Sequence, residues 1–354
     1  MAAIAEAFAV REIRPRIFRA RIDTLSYLSE KQIVERYRLS TEGIIYLEEL
    51  IRADCEPMSD RSHTLNVRTK VGVRCLTCTK CIDSSASYAP SNTTLPCKRR
   101  FFSEVGDLHG VSRSSVCRCI QQVISAINRN LNNITFPTSL HDLAATKQKF
   151  HRVAGIPNVI GAVDGTLIPI QAPSENTQTY VCRKGYHAVN IQAVVDSSLR
   201  FTNVNAKWPG STHDATAFDN SSLKDHLATN KPGWLLGDSG YPLREYLITP
   251  KNNPQTAQEL QFNGAHSRTR ICVERAFGLL KARFRCLHRS GGVLPFRPGK
   301  CMEVVVVCAK LHNLCLDLKI PFDNEEEVDI DDDPQNLYPE GNNQQCRQRL
   351  IAMF

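Results

Sequence analysis

An apolar run with a carboxylate at its centre, IPNVIGAVDGTLIPI at residues 156–170, restricts what this chain can fold into. Its aliphatic and β-branched residues predict a strand that is buried on both faces. An ionised Asp164 inside such a strand costs several kcal/mol unless a cation meets it. The sequence therefore predicts that a cation from elsewhere in the chain, or a bound one, lies beside this carboxylate.

Charge and cysteine usage narrow the class of protein. The net charge is +8, but residues 323–333 carry eight acids and no bases, so the rest of the chain carries +16. A basic body favours a polyanionic partner such as DNA. The cysteines lie mostly singly in apolar stretches, which is typical of reduced thiols in a cytosolic or nuclear protein. The longest aliphatic run, 304–309, is too short to span a bilayer, so no membrane partner is expected.

The chain divides into three regions that differ in composition and in the spacing of apolar residues. Residues 1–149 predict an all-α N-terminal region, with one helix starting at Ser40. Residues 150–318 mix strands and helices and predict an α/β domain. Residues 319–354 form an acidic C-terminal tail, whose acidic stretch is predicted to be flexible and is followed by a short end at 347–354.

A helix-turn-helix is predicted at about 101–130, in FSEVGDLHGVSRSSVCRCIQQVISAI. The second helix starts at Ser112 and presents an exposed face suited to a major groove. The side chains expected to meet phosphates or bases there are Arg113, Arg118 and Gln121. An ordinary helical hairpin within a bundle is the alternative.

Residues 74–100 interrupt the helical spacing of apolar residues with cysteine, serine, threonine and proline, and predict an irregular insert. Four thiols in this stretch could instead bind zinc, although their spacing matches no common zinc finger. They are Cys75, Cys78, Cys81 and Cys97.

The α/β region continues with a hairpin and a short helix. YHAVNIQAVVDSSLRFTNVN predicts two antiparallel strands that turn at Asp196 and adjoin the Asp164 strand. GSTHDATAF then starts a helix at Ser211 or Thr212, which places Asp214 in the first turn. Asp214 could serve only to stabilise that helix end, and this alternative stays open.

Two further acids follow. Asp238 comes directly after a short apolar strand at 234–236, where ligand-binding carboxylates are common in open sheets, although an ordinary turn aspartate is the alternative. Glu274 lies on a helix with an apolar stripe, next to a basic band, and could be only a surface salt-bridge partner. The stripe is Val273, Phe277, Leu280 and Phe284, and the basic band is Arg270, Lys281 and Arg285.

Taken together, the four acids follow the chain order of ribonuclease H-like nucleases, in which such carboxylates converge on two divalent cations. Mg²⁺ or Mn²⁺ prefers oxygen ligands and would neutralise acids that otherwise repel one another. Two such cations, roughly 3.5 to 4 Å apart, catalyse in-line displacement at phosphorus. The DNA backbone would then be held by Arg270, Arg275 and Lys281.

At these residues the sequence resembles the PIF/Harbinger transposase family and its domesticated, transposase-derived nucleases. The matching blocks include GAVDGTLIPI, WPGSTHDATAFDNS, LLGDSGYPLREYLITP and VERAFGLLKARF. The resemblance implies a DDE endonuclease with Asp164, Asp238 and Glu274 as catalytic acids. Asp214 would be a fourth metal-site acid, and which of Asp214 and Asp238 is the second catalytic acid stays open.

The same resemblance implies a separate Myb/SANT-like protein that assists DNA binding and nuclear entry, and hence a nuclear location, with the cytoplasm as a second one. Residues 74–100 depart from the family, where a short apolar helical segment usually leads into the helix-turn-helix. A catalytically silent helix-turn-helix regulator is the alternative function.

Overall fold

A five-stranded mixed sheet forms the centre of the computed structural model, which describes residues 26–56, 65–79, 106, 110–322 and 344–354. The strands are β1 Val159–Pro169, β2 Ala188–Val195, β3 Phe201–Pro209, β4 Trp234–Leu236 and β5 Leu247–Ile248. Their spatial order is β3-β2-β1-β4-β5. β1, β2 and β3 pair antiparallel, whereas β4 and β5 run parallel to β1. This arrangement is consistent with the ribonuclease H-like fold that the sequence predicted.

The predicted hairpin is confirmed. Every residue of β2 is buried, so this strand is covered on both faces, and it pairs with β1 from Ala162↔Val195 to Pro169↔Ala188. The turn after β2 is closed by the Asp196 side chain, whose Oδ1 accepts hydrogen bonds from two backbone N–H groups at 2.8 and 3.0 Å. Leu199 adopts a left-handed conformation in this turn, with φ of 66°.

Ten helices lie within the described residues, five before the sheet and five in or after it. The bounds are α1 Glu30–Tyr37, α2 Thr41–Cys55, α3 Val67–Thr79, α4 Arg113–Asn130, α5 Leu140–Ala154, α6 Asp214–Asp219, α7 Ser222–Asn230, α8 Ala257–Arg283, α9 Pro298–Asp317 and α10 Gln344–Ile351. Serine side chains cap many of the starts, including the predicted one, where Ser40 accepts from the Gly43 N–H. None of the described helices is both long and apolar enough to cross a membrane.

The helix α3 corrects the predicted start of the irregular insert. It begins at Val67 and continues through residues 74–79, which the sequence had assigned to the insert. Val71 and Val73 are buried in the same core as α2 and α4, and no proline interrupts the helix before Thr79. The rest of the insert, 80–100, lies outside the described residues, as does the zinc site considered for its cysteines.

The boundary predicted at residue 149 is also corrected, because α5 runs across it to Ala154. This helix packs against β1 and α8, and its Phe150 is fully buried. The helix therefore belongs with the sheet and not with the preceding helices. The buried residues of both parts form one continuous core, in which α9 contacts α4 on one side and β3 on the other.

The end of the chain, which the sequence placed in the acidic C-terminal tail at 319–354, is folded. Residues 344–354 form α10 and a final turn that pack on α8. Arg347 is buried and donates to the Pro250 carbonyl at 3.0 Å, and the Phe354 ring lies 6.2 Å from that of Phe262. Apolar residues in this segment bury their side chains against α8, which stabilises the folded end of the chain. Residues 323–343 lie outside the described part of the chain.

Candidate active site

Asp164 lies in the middle of β1, as predicted, opposite Ala193 of β2. Its Oδ1 accepts from the Gly165 N–H at 2.8 Å, and its Oδ2 accepts from Arg270 Nη1 at 3.0 Å. Burial raises the pKa of Asp164 to about 6, and the Arg270 guanidinium opposes that rise. The cation that the sequence required for this buried carboxylate is therefore, in this structure, a side chain of α8.

Arg270 joins two of the predicted acids. It lies one helical turn before Glu274 on α8 and donates to that carboxylate through Nη2, while Nη1 donates to Asp164. Burial disfavours the guanidinium charge, but the surrounding carboxylates outweigh burial and raise the Arg270 pKa. The Arg270 side chain is only 14% exposed, so it does not face solvent as a DNA backbone contact would. Arg270 is paired with the acids in this structure, and its predicted contact with the DNA backbone stays a prediction.

Asp238 follows β4 directly and faces the same group. Its Oδ1 accepts from the Gly240 N–H at 3.0 Å. Burial raises the pKa of Asp238, Arg270 lowers it, and the Asp214 carboxylate raises it further. Asp238 is thus close enough to interact electrostatically with both Arg270 and Asp214.

Asp214 is the first residue of α6, so its predicted place in the first turn is confirmed, although the N-cap is His213. Its carboxylate lies directly over Gly165 of β1. A Cβ at Gly165 would come within 3.0 Å of all three atoms of that carboxylate group, closer than real Cβ atoms approach any neighbour. The glycine next to Asp164 therefore makes room for Asp214.

The structure brings the four predicted acids into one group, which we term the acid cluster: Asp164, Asp214, Asp238 and Glu274. Across the described residues, however, no three His, Cys, Asp or Glu side chains are placed closely enough to bind a metal ion without rearranging. The Arg270 guanidinium lies between Asp164 and Glu274, which accounts for this in physical terms.

Three polar residues beside the acid cluster were missed in the sequence. Tyr241 is buried, and burial followed by the charges of Asp214, Asp164 and Asp238 raises its pKa well above the usual value. Asn190 and Gln192, both on β2, hydrogen-bond to Asp214 or its backbone. The only available signal was the presence of two amides in an otherwise apolar strand.

The other predicted contact residues lie on two helices. On α8, Arg275 is exposed and Lys281 is half-buried. On α4, Arg113, Arg118 and Gln121 are all exposed, on the side opposite the buried Val116, Ile120 and Val123. The first helix of the predicted helix-turn-helix falls mostly outside the described residues, so their role in DNA binding stays a prediction.

Replacing Gly165 with alanine tests the close packing of Asp214. We expect Gly165→Ala to lower the free energy of unfolding by about 1 to 3 kcal/mol, since the added methyl group must displace the Asp214 carboxylate. Urea denaturation measures this loss. Gly264→Ala is the matched control. Gly264 is a solvent-exposed residue within α8 with open space around it, so alanine there should stabilise the protein by up to about 1 kcal/mol. Equal effects at both positions would contradict the packing argument.

Comparison with known proteins places these residues in a family. A model of the DDE superfamily endonuclease family matches residues 163–313, which contain the whole acid cluster. A mouse protein named Putative nuclease HARBI1 is 33% identical over 296 residues, covering 83% of this chain and 80% of the mouse protein. The human protein of that name is 32% identical with the same coverage.

A more distant relative, from Arabidopsis thaliana, is named Protein ALP1-like. It is 28% identical over 253 residues, which cover 66% of this chain and 59% of the plant protein. No solved structure matches the chain. The family model and the HARBI1 relatives agree on the same region and cover most of the chain between them. The chain therefore belongs to the Harbinger transposase-derived family of DDE superfamily endonucleases.

Proposed function

We propose that this chain is a metal-dependent endonuclease that cleaves DNA. The observation that carries the proposal is the acid cluster itself: of four carboxylates distant in sequence, three act on the buried Arg270 guanidinium and the fourth, Asp214, lies beside Asp238. A structural role needs only as many acids as there are cations to pair with. Excess negative charge in a partly buried place is typical of a site that takes up further cations.

The chemistry of the acid cluster fits Mg²⁺ or Mn²⁺. All four side chains offer hard carboxylate oxygens, the ligands that these ions prefer. Burial, with repulsion between the acids, raises the pKa of Asp164 to about 6 and raises that of Asp238, and Arg270 offsets only part of this. We propose that Asp164, Asp214, Asp238 and Glu274 would hold the cations, and that Arg270 withdraws from the cluster when they bind.

The protein's own residues would then orient the substrate. Bound divalent cations activate the attacking oxygen and stabilise the leaving one during in-line displacement at phosphorus. Arg275 is exposed one residue beyond Glu274, in a position to contact a phosphodiester beside the cluster. Lys281, two turns further along α8, would extend this basic face. Arg270, once released from the acids, would join them.

The proposal is tested with purified full-length protein and supercoiled plasmid DNA. We expect nicked or linear DNA in Mg²⁺ or Mn²⁺ and none in EDTA. Sequence-specific DNA binding without metal-dependent cleavage would instead favour the second candidate, a catalytically silent regulator. That candidate is motivated by α4, whose exposed Arg113, Arg118 and Gln121 lie opposite a buried apolar face.

Replacing the α4 residues tests the DNA-binding part of either function. We expect Arg113→Ala with Arg118→Ala to weaken binding of a DNA duplex and to lower the salt slope by up to about 2, roughly one for each lost phosphate contact. Fluorescence anisotropy at several salt concentrations measures both quantities. Arg129→Ala, at the other end of α4 and paired with Asp54 at 3.1 Å, is the control that should leave the slope unchanged. An unchanged slope in the double variant would remove α4 from the DNA interface.

A Myb/SANT-like partner and a nuclear location complete the proposal. Both rest on the family resemblance. Nuclear accumulation only when such a protein is co-expressed would support them, and equal accumulation without it would count against them.

Replacing Arg270 tests the metal site. Arg270→Gln removes the guanidinium that pairs with Asp164 and Glu274, so a divalent ion need not displace it. We expect about tenfold tighter Mn²⁺ binding by calorimetry, equivalent to about 1.4 kcal/mol and comparable to one hydrogen bond between charged groups. Arg275→Gln, on the exposed side of the same helix, should bind Mn²⁺ like the wild type. Weaker binding in Arg270→Gln would show that Arg270 supports the metal site and does not compete with the metal.

A further inference from the structure

Two amide side chains on β2 fasten Asp214 to the sheet. Asn190 and Gln192 are each 4% exposed, and because they are two residues apart they lie on the same face of the strand. Asn190 Nδ2 donates to Asp214 Oδ1 at 2.7 Å, and Gln192 Nε2 donates to the Asp214 main-chain oxygen at 3.0 Å. The side chain and the backbone of Asp214 are thus held by two neighbouring amides.

The orientation of the Asn190 amide is set by its surroundings. Its Nδ2 also donates to the Thr212 carbonyl at 2.8 Å, so the amide nitrogen faces two acceptors. Rotating the amide by 180° would point its oxygen at the same two acceptors and lose both bonds. Asn190 can therefore act toward Asp214 only as a donor.

Asp214 begins a short helix and lies over a glycine. α6 has only six residues, and its N-cap His213 makes no side-chain capping bond. Underneath, Gly165 offers no side chain to pack against the carboxylate. Gln192 also donates to the Tyr241 hydroxyl at 2.9 Å, which ties Asp214 to the residue that borders the rest of the acid cluster.

We propose that Asn190 is a positioning residue, which donates to Asp214 Oδ1 and so fixes the orientation of this carboxylate toward a divalent cation. This inference rests on the proposed function, since it assigns Asn190 a task at the same site. Outer residues that orient a metal-binding side chain typically change metal affinity 10- to 100-fold when they are lost. Gln192 assists by holding the backbone of Asp214 at the same level of the strand.

Mn²⁺ affinity and melting temperature, measured on the full-length protein, separate positioning from simple packing. We expect Asn190→Ala and Asn190→Leu to weaken Mn²⁺ binding about tenfold or more. The leucine variant keeps the side-chain volume and guards against loss of folding through a cavity. Asn313→Ala is the matched control: Asn313 is fully buried and makes two main-chain donations, at 2.9 and 2.8 Å, to Asn133 and Phe201. It should lower the melting temperature but leave Mn²⁺ affinity within about twofold of the wild type.

A double-mutant cycle gives a second readout. In an Asp214→Asn background, Asn190→Leu should have no further effect on Mn²⁺ affinity, because the positioned carboxylate is already gone. Additive effects, or wild-type affinity in both Asn190 variants, would overturn the positioning role while leaving the proposed function intact. A wild-type protein that binds no Mn²⁺ would overturn both.

Discussion

Replacing Asp164 with asparagine is expected to lower the rate of metal-dependent DNA cleavage by about a thousandfold or more. Divalent cations contribute several kcal/mol to stabilising charge in phosphoryl-transfer transition states, and each 1.36 kcal/mol is a factor of ten in rate. Asp164 is the acid whose position is best fixed, because it lies inside β1 and contacts both Gly165 and Arg270. Its loss should therefore remove more activity than a general disturbance of the site would.

The same substitution should not unfold the protein. Burial raises the pKa of Asp164 to about 6, above its unfolded value, so the ionised carboxylate is less stable in the native protein than in the unfolded chain. Asparagine keeps the shape and removes repulsion toward Asp238, while Arg270 keeps its bond to Glu274. We expect an unchanged or higher melting temperature together with lost cleavage, the combination that marks a functional residue.

Asp219→Asn is the matched control for this experiment. Asp219 ends α6, a few residues from Asp214, and pairs with Arg244 at 3.0 and 3.1 Å outside the acid cluster. This variant should lose about 1 kcal/mol of stability or less and keep its cleavage rate, since the pair is partly exposed. Wild-type cleavage by Asp164→Asn would refute the proposed nuclease site.

The placement of the acids followed from local sequence patterns, but their compensation by Arg270 did not. A carboxylate in an apolar strand and an acid directly after a strand are local signals, and both Asp164 and Asp238 lie where they were expected. Arg270 and Glu274, one turn apart on an amphipathic helix, look in sequence like an exposed salt bridge. Only the packing of α8 against β1 decides that this band faces the sheet.

The polar residues of β2 could not be recognised from the sequence pattern, because this strand is buried on both faces. Asn190 and Gln192 stand in a strand whose eight residues are all buried, so alternation between apolar and polar residues does not mark an inner face. The C-terminal helix was missed for a different reason. Its few apolar residues follow an acidic stretch, and composition averaged over 319–354 conceals the residues that bury themselves against α8.

Acidification from pH 7 to pH 5 is expected to remove about 4 kcal/mol of stability through two buried histidines. Burial lowers the pKa of His266 to about 4 and that of His312 to about 3. Each Nε2 donates to a backbone carbonyl, at 3.1 and 3.0 Å, which fixes the tautomer, while burial keeps each ring neutral. Below the unfolded value of about 6.5, the unfolded chain takes up protons that the native protein refuses, and each histidine costs about 1.36 kcal/mol per pH unit.

Asp164 acts in the opposite direction over part of this range. Its native pKa of about 6 exceeds the unfolded value, so the native protein takes up that proton first and regains about 1.4 kcal/mol by pH 5. The Asp164→Asn variant removes this gain and should therefore show the steeper loss of stability. The two contributions can thus be separated by comparing the pH dependence of the two proteins.

His312→Gln isolates one histidine, because glutamine can still donate to the Leu199 carbonyl but cannot take up a proton in this range. Urea midpoints between pH 7 and pH 5 should fall about half as steeply in this variant once the Asp164 contribution is removed. His141→Gln, whose side chain is 93% exposed, should follow the wild type throughout. If His312→Gln lost stability as steeply as the wild type, acid sensitivity would have to arise from other groups, and the neutral state of His312 in the core would be refuted.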